Sequence, residues 1–119
     1  MIDLLDFQKL GETYELNNHN ELIGAVNDHI VRLAVMTERY PRHVHPNSDE
    51  IFIGVEGIVI IETDQQVFEL SPGMCLTIPG KTAHSTRPKT DRSVNLTIER
   101  KDTETVFLDN DYQSQKDYK

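Results

Sequence analysis

The chain has 119 residues, the size of one domain, and its 37% of hydrophobic residues make it too apolar for a disordered protein. Acidic residues outnumber basic ones by 20 to 12, and the formal net charge of −8 argues against binding to nucleic acid, which needs clustered Lys and Arg. The single cysteine, Cys75, excludes an intrachain disulfide, and no apolar stretch is long enough to span a bilayer.

The chain divides into three predicted parts. Residues 1–28 are a flanking segment, in which residues 2–10 fit either a short helix or a bent edge strand and residues 11–20 are polar and Asn-rich, as in a loop. Residues 29–108 are predicted to form a β-domain. Residues 109–119 are polar and are predicted to be a poorly ordered tail.

Short strands follow one another through the predicted β-domain. Apolar runs bounded by turn residues predict strands over residues 29–36, 43–45, 50–55, 58–62, 67–70, 74–78 and 94–99, and residues 105–108 fit one more. Residues 87–92 are polar and predict a loop. This close, regular spacing indicates an all-β sandwich or barrel, and the lack of a long helical pattern disfavours a parallel βαβ architecture.

Four residues of the β-domain are of the types that bind transition metals. His43 and His45 are two apart in a strand and therefore share one face. Glu50 begins the next strand after the turn at residues 46–48, and antiparallel pairing of the two strands would bring its carboxylate beside both histidines. His84 lies just beyond a strand, whose end can face the same barrel interior. Imidazole and carboxylate suit iron, manganese, nickel, copper or zinc, and four protein ligands leave positions open for water, dioxygen or a chelating substrate.

Two segments resemble the conserved motifs of the cupin superfamily. The first, HVHPNSDEIFIGVEG over residues 43–57, has two His one residue apart, a Glu after a short spacer and a Gly seven residues past the Glu. The second, GMCLTIPGKTAH, matches the family spacing at Gly73, Pro79 and His84. Residues 28–33 before the motifs and residues 94–100 after them also resemble the small single-domain cupins of the mannose-6-phosphate-isomerase-like type.

The resemblance implies a double-stranded β-helix, or jelly-roll, barrel with one divalent transition metal ion, which would be iron, manganese, nickel or zinc. The implied ligands are His43, His45, Glu50 and His84. Two departures lie near the last ligand. Lys81 stands where the family usually has Gly, because Gly80 follows the proline directly, and Pro88 stands where the family commonly has Asn. Neither position normally supplies a ligand, but the turn before His84 is expected to be rebuilt.

Strand parity assigns roles to neighbouring residues. Phe52 shares the parity of Glu50 and is expected to line the cavity or to pack in the core, whereas Asp49 has the opposite parity and is expected to be a solvated acid. Cys75 lies in a strand that looks buried, which predicts a small structural hydrophobe.

The outer face of one strand is unusually apolar. Ile51, Ile53 and Val55 point away from the barrel interior, where polar residues are expected. We therefore expect this face to be covered by the N-terminal segment or by a second subunit, and we predict a homodimer. The amino terminus lacks the features of a signal peptide, so we expect a cytoplasmic protein whose other partner is a small molecule, with no nucleic acid and no membrane.

Other candidate residues receive lesser assignments. His19 and His29 lie outside the motifs and are assigned no role. Tyr40, Arg42 and Arg87 are within reach of a ligand at the barrel mouth, although a surface role is favoured for all three.

The resemblance predicts the fold but not the reaction, because the superfamily includes dioxygenases, isomerases, epimerases, decarboxylases and non-enzymatic binders. One hypothesis is an enzyme that binds a small polar molecule at the open metal positions, for isomerase- or epimerase-type chemistry or, with iron, dioxygenase chemistry. The sequence offers no convincing general base for it, and Tyr40 and Glu62 are only weak candidates. The alternative is a non-catalytic module that stores or senses a metal or a small metabolite.

Overall fold

The computed structural model describes residues 2–14 and 18–108, so the predicted tail over residues 109–119 lies outside the described residues. The helix and strands, in chain order, are α1 (Phe7–Glu12), β1 (His19–Val26), β2 (His29–Met36), β3 (Tyr40–Val44), β4 (Glu50–Glu56), β5 (Val59–Thr63), β6 (Val67–Leu70), β7 (Cys75–Ile78), β8 (His84–Pro88), β9 (Ser93–Arg100) and β10 (Val106–Phe107). In this part of the chain, no helix has the length and apolar character needed to cross a membrane.

The strands form two five-stranded antiparallel sheets. The first sheet has the order β1-β2-β9-β4-β7 and the second has the order β10-β3-β8-β5-β6. From β2 onward the chain crosses repeatedly from one sheet to the other, and only β5 and β6 follow each other within a sheet. This alternation is the pattern of a jelly roll, so the predicted all-β, double-stranded β-helix architecture is confirmed.

The main core lies between the two sheets. Inward-facing residues of both sheets form one cluster, which consists of Ala34, Met36, Phe52, Val59, Ile61, Leu70 and Ile78. Ile61 is fully buried and Val59 nearly so. Burial of each such side chain contributes about 1.5–3 kcal/mol, so this cluster holds the sheets together beside the polar site described below.

A second apolar cluster lies on the outer face of the first sheet, beneath α1. Its buried members are Leu33, Val35, Val94 and Leu96. Phe7 and Leu10 of α1 pack on this cluster together with Ile53 and Val55 of β4. The helix starts at Asp6, whose carboxylate accepts hydrogen bonds from the backbone N–H groups of the first turn. The N-terminal segment therefore covers part of the apolar outer face, as predicted for Ile53 and Val55.

The glycine that closes the first motif has a steric role. Gly57 has a φ of 66°, and a Cβ at this position would lie 2.4 Å from the carbonyl oxygen of Arg92. A residue with a side chain would be strained in this conformation and would also collide with the neighbouring backbone.

The secondary structure differs from the predictions at two polar segments. The predicted loop over residues 11–20 is wrong at its end, because β1 begins at His19 and pairs with β2 through a bulge between Leu22 and Gly24. The strand lies within the predicted flanking segment, and the division of the chain at residue 29 stays a prediction. The predicted loop over residues 87–92 is wrong at its start, because β8 continues to Pro88.

The prediction that Cys75 is a buried structural hydrophobe is wrong. Cys75 is exposed, because it opens β7 at the edge of the first sheet and points outward from it. The sequence of a mostly apolar strand such as CLTI does not reveal whether another element covers the outer face of that strand.

Candidate metal centre

The four predicted ligands lie together at one point inside the barrel. Their nitrogen and oxygen donor atoms all lie within 4.8 Å of one another. All four side chains are buried, with exposed fractions from 1% for His84 to 7% for Glu50. The Oε1 atom of Glu50 lies 3.2 Å from Nε2 of His45 and 3.1 Å from Nε2 of His84. The structure thus brings together all four residues that the sequence proposed.

The strands deliver these residues differently from the prediction. β3 and β4 do not pair, because they belong to different sheets. His43 instead lies directly opposite His84 in the β3–β8 register, and Glu50 reaches the histidines from the facing sheet. His84 is the first residue of β8 rather than a residue beyond a strand. Because the two sheets both contribute ligands, the core packed between the sheets fixes the distance between Glu50 and the histidines.

The hydrogen bonds of the imidazoles orient their metal-binding nitrogens. Nδ1 of His43 donates to the carbonyl of Pro41 at 2.7 Å, Nδ1 of His45 to that of Glu104 at 3.0 Å, and Nδ1 of His84 to that of Thr82 at 2.9 Å. A carbonyl can only accept, so each Nδ1 carries a proton and the lone pair of a neutral ring lies on Nε2. Unprotonated Nε2 atoms and a carboxylate oxygen are all acceptors, and a cation between them satisfies them together.

Of the three cluster residues with shifted pKa values, His43 and Glu50 are placed in the ionisation state that a metal needs, whereas the raised pKa of His45 favours a proton that a metal would have to displace. Burial lowers the pKa of His43 to about 4, and the charge of His84 acts in the same direction. Burial alone would raise the pKa of Glu50, but the hydrogen bonds and charges of His45 and His84 outweigh it and lower this pKa to about 2. At neutral pH His43 is neutral and Glu50 is ionised, as required of metal ligands.

The rebuilt turn before His84 is held by its neighbours. Lys81, which replaces the usual glycine, adopts a φ of 69° in the left-handed region, and its N–H donates to the carbonyl of His45 at 2.9 Å. The N–H of Gly80 donates to the carboxylate of Asp49 at 2.8 Å. Asp49 is exposed, as predicted for a solvated acid, but it also anchors this turn, and His84 keeps its aim into the cluster.

A cavity of about 320 Å³ opens beside the cluster and is lined by His43, His45 and Glu50. Phe52 lines it too, as strand parity predicted, and its ring lies nearly perpendicular to that of His84 with the centroids 5.9 Å apart. A larger groove of about 710 Å³ lies on the outer surface and contains none of the four cluster residues. The smaller cavity is therefore the candidate ligand site.

The other predicted candidates separate into two groups. Tyr40 lines the cavity, and its ring meets that of His43 with the centroids 4.8 Å apart, so the surface role favoured for Tyr40 is wrong. Arg42 pairs with Asp64 at 3.0 Å and Arg87 pairs with Glu62, and none of these residues lines the cavity. The weak general-base candidate Glu62 is therefore turned away from the site.

The family follows from a comparison with known proteins. The cupin-domain family profile matches residues 29–98, more than half of the chain. The chain is a cupin. It is also similar to the uncharacterized protein YdbB of Bacillus subtilis (strain 168), with 46% identity over 91 residues, which are 76% of this chain and 80% of that protein.

Solved structures agree with this cupin in fold. A cupin-2 domain-containing protein from Shewanella frigidimarina superposes with a TM-score of 0.75 at 23% identity, covering 82% of this chain and 95% of that one. A sugar phosphate isomerase from a cupin superfamily of Silicibacter pomeroyi superposes with a TM-score of 0.62 at 23% identity, covering 73% of this chain and 60% of that one.

One wall of the cupin's cavity is polar and was not predicted from the sequence; it is formed by residues of the paired strands β2 and β9. Its members are Arg32, Asn95, Thr97 and Glu99. Burial raises the pKa of Glu99, and the negative charge of Glu50 raises it further. A usable signal was present, because polar residues alternate with Val94, Leu96 and Ile98 along β9. Val94 and Leu96 pack beneath α1 and Ile98 lies in the outer groove, so the apolar set faces outward and the polar set must face inward.

His19 is a second omission. It was assigned no role, but it lines the cavity at the start of β1, where its ring stacks on that of Tyr14 with the centroids 3.7 Å apart. His29 lies outside the cavity lining, at the outer groove.

Proposed function

We propose that this cupin binds one divalent transition metal ion and a small polar metabolite, and that it catalyses isomerase- or epimerase-type chemistry on that metabolite. The ligands of the ion would be His43, His45, Glu50 and His84. The observation that carries the proposal is the convergence of four buried donors, three of which line a cavity of about 320 Å³. A bound ion would supply a Lewis acid that polarises a ligand oxygen.

The chain's own residues favour proton transfer over oxygen chemistry. Isomerisation and epimerisation need a group that takes a proton from carbon and returns it, and a carboxyl group with a raised pKa suits this task. Glu99 lines the cavity, its pKa is raised by burial, and its side chain is 13% exposed. The sugar phosphate isomerase of Silicibacter pomeroyi shares this fold, which is compatible with the proposal.

Metal content tests the first half of the proposal. We expect the protein purified without chelators to carry about one metal ion per chain by elemental analysis, whatever the metal, since the donors suit several. His84→Ala and His43→Ala should retain less than about a tenth of the wild-type metal content. Loss of a ligand weakens metal binding at least as much as loss of a group that hydrogen-bonds to a ligand. His29→Ala, which removes a histidine outside the cavity, is the matched control. Equal metal content in all four proteins would refute the metal centre.

Solvent exchange tests the reaction class. An isomerase or epimerase that moves a proton by way of Glu99 should incorporate deuterium from ²H₂O into its ligand, and Glu99→Gln should stop this while keeping the metal. Oxygen consumption would indicate a dioxygenase instead. A metal-loaded protein that binds a ligand with neither exchange nor oxygen uptake would be the non-catalytic module.

We also propose that the cupin is a homodimer formed by the uncovered half of its apolar outer face. Ile51 and Ile98 lie in the outer groove of about 710 Å³, beyond the cluster that α1 covers. A second copy that packs the same face around a two-fold axis would bury these side chains. Light scattering should give about twice the chain mass, and Ile51→Lys should give a monomer. Val67→Lys, which changes an exposed residue of β6 in the other sheet, should stay dimeric, and a monomeric wild type would contradict the proposal.

A further inference from the structure

The polar wall of the cavity contains buried atoms that the fold leaves without partners. Asn95 is 1% exposed, and its Oδ1 has no hydrogen-bond partner among residues 2–14 and 18–108. The Oε2 atom of Glu99 is likewise buried and unpartnered there. Both side chains line the cavity. Buried acceptors are rarely left unpaired because the loss of hydration destabilises the fold, so these two atoms are placed to receive donors from a ligand.

Arg32 adds a fixed cation to the same wall. It lies opposite Thr97 in the β2–β9 register, so Asn95 and Glu99 are its diagonal neighbours. Its Nη1 donates to Oδ1 of Asn20 at 3.3 Å, and its Nε lies 3.9 Å from Oε1 of Glu99. Asn20 and Glu99 therefore orient the guanidinium, while the 3.9 Å separation leaves its hydrogen-bonding capacity toward the cavity largely unused.

The charges around the cavity favour an anion. The lining residues with charged side chains are the cationic Arg32 and the acidic Glu50 and Glu99, together with histidines. A divalent ion at the proposed centre would give this lining a positive excess even with both carboxylates ionised. An anionic group of the ligand restores the balance, and a guanidinium binds carboxylates in a paired geometry.

We propose that Arg32, Asn95 and Glu99 form a recognition site for a small hydroxy acid. The ligand's carboxylate pairs with Arg32, and its hydroxyl groups donate to Oδ1 of Asn95 and Oε2 of Glu99. A cavity of about 320 Å³ is at the small end of ligand sites and accommodates a chain of about six carbons. This inference rests on the proposed function, because the metal supplies part of the positive charge.

Three six-carbon probes separate the required groups. D-gluconate has both a carboxylate and hydroxyls, D-sorbitol lacks the carboxylate, and hexanoate lacks the hydroxyls. Titration calorimetry on the metal-loaded protein should show gluconate binding at least about tenfold more tightly than either of the others, since each group contributes separate hydrogen bonds. Metal content is measured after each titration, because gluconate chelates ions in solution.

A matched pair of arginine variants tests the carboxylate contact. Arg32→Gln should weaken gluconate binding by about tenfold or more, because a hydrogen-bonded ion pair is lost, and should leave metal content unchanged. Arg87→Gln removes an arginine that also lies in a strand and pairs with a glutamate, but at a position outside the cavity. Gluconate binding to Arg87→Gln should equal that of the wild type.

Asn95→Leu tests the hydroxyl contact with an independent readout. Removal of the acceptor should weaken gluconate binding and leave hexanoate binding unchanged. Without ligand, the same variant should melt a few degrees higher than the wild type, because it replaces a buried amide whose Oδ1 is unpaired and whose Nδ2 makes only a long bond of 3.4 Å to the carbonyl of Leu96. A role of Asn95 in folding alone would instead lower the melting temperature.

The outcomes distinguish this inference from the metal proposal. A wild type that takes up no metal ion, yet binds gluconate in a way that depends on Arg32, would refute the metal centre and support the recognition site. A metal-loaded wild type that binds gluconate no better than sorbitol or hexanoate would overturn the recognition site. Wild-type affinity in an Arg32→Gln variant with normal metal content would overturn it as well.

Discussion

EDTA should lower the melting temperature of the metal-loaded wild type by roughly 10–20 °C and leave that of His84→Ala nearly unchanged. A ligand present at a thousand times its dissociation constant stabilises the folded state by about 4 kcal/mol, and each kcal/mol shifts the melting temperature of a domain of this size by several degrees. His84 is the decisive residue because it lies opposite His43 in register, contacts Glu50 at 3.1 Å and is 1% exposed.

The comparison with and without EDTA removes a complication of this variant. His84→Ala leaves a cavity in the barrel and lowers stability by about 2 kcal/mol or more even without metal. The informative quantity is therefore the EDTA-induced change within each protein, measured by calorimetry. His29→Ala should show the full wild-type change. A wild type known to hold metal but insensitive to EDTA would show that the ion is not bound by the folded cluster.

Much of this site was predictable because the information is local. The predicted strands over residues 29–36 and 67–70 coincide with β2 and β6, since an apolar run bounded by turn residues determines a strand on its own. The four candidate ligands could likewise be identified from the sequence, because they stand at the positions that the two motifs define. The structure confirms that they converge: His43 in β3 and His45, one residue past the end of that strand, are both buried at the cluster.

The partner strand of Glu50 was not predictable in the same way. A turn after His45 permits β4 to return beside β3 or to cross to the facing sheet. The choice depends on distant strands, because β4 pairs with β7 and β9 and not with β3. Glu50 lies opposite Ile78 in that sheet, so its approach to the histidines is a tertiary property that local spacing does not contain.

Polar strands were missed because the barrel interior is polar around the site. β8 places His84 and Thr86 inward, so its sequence has no apolar alternation and resembles a loop. The same polarity concealed Arg32 and Glu99, which were assigned no role although they face the cavity. In this cupin the departures from ordinary strand patterning coincide with the residues that line the candidate ligand site.

Acidification should destabilise the metal-free protein in two phases. The pKa of His43 is about 4 in the folded state and 6.5 ordinarily, so the unfolded chain binds more protons between these values and stability falls as the pH falls from 6.5 to 4. This gap corresponds to about 3 kcal/mol. The pKa of Glu50 is about 2 against an ordinary 4.5, which gives a second loss of about 3 kcal/mol as the pH falls from 4.5 toward 2.

His45 acts in the opposite direction, and it does so at a higher pH than these two losses. Burial lowers its pKa, but the hydrogen bond and charge of Glu50 outweigh this and raise it, so the stability contributed by His45 is complete below pH 6.5 and declines as the pH rises through its folded pKa. Chemical denaturation across pH 3–8 should separate these contributions. His43→Gln should lose the phase between pH 6.5 and 4, and His29→Gln should keep it. An unchanged profile in His43→Gln would mean that His43 is not held neutral by the barrel. Because metal and proton compete for the same Nε2 lone pairs, the metal-loaded wild type should resist acid until the ion dissociates.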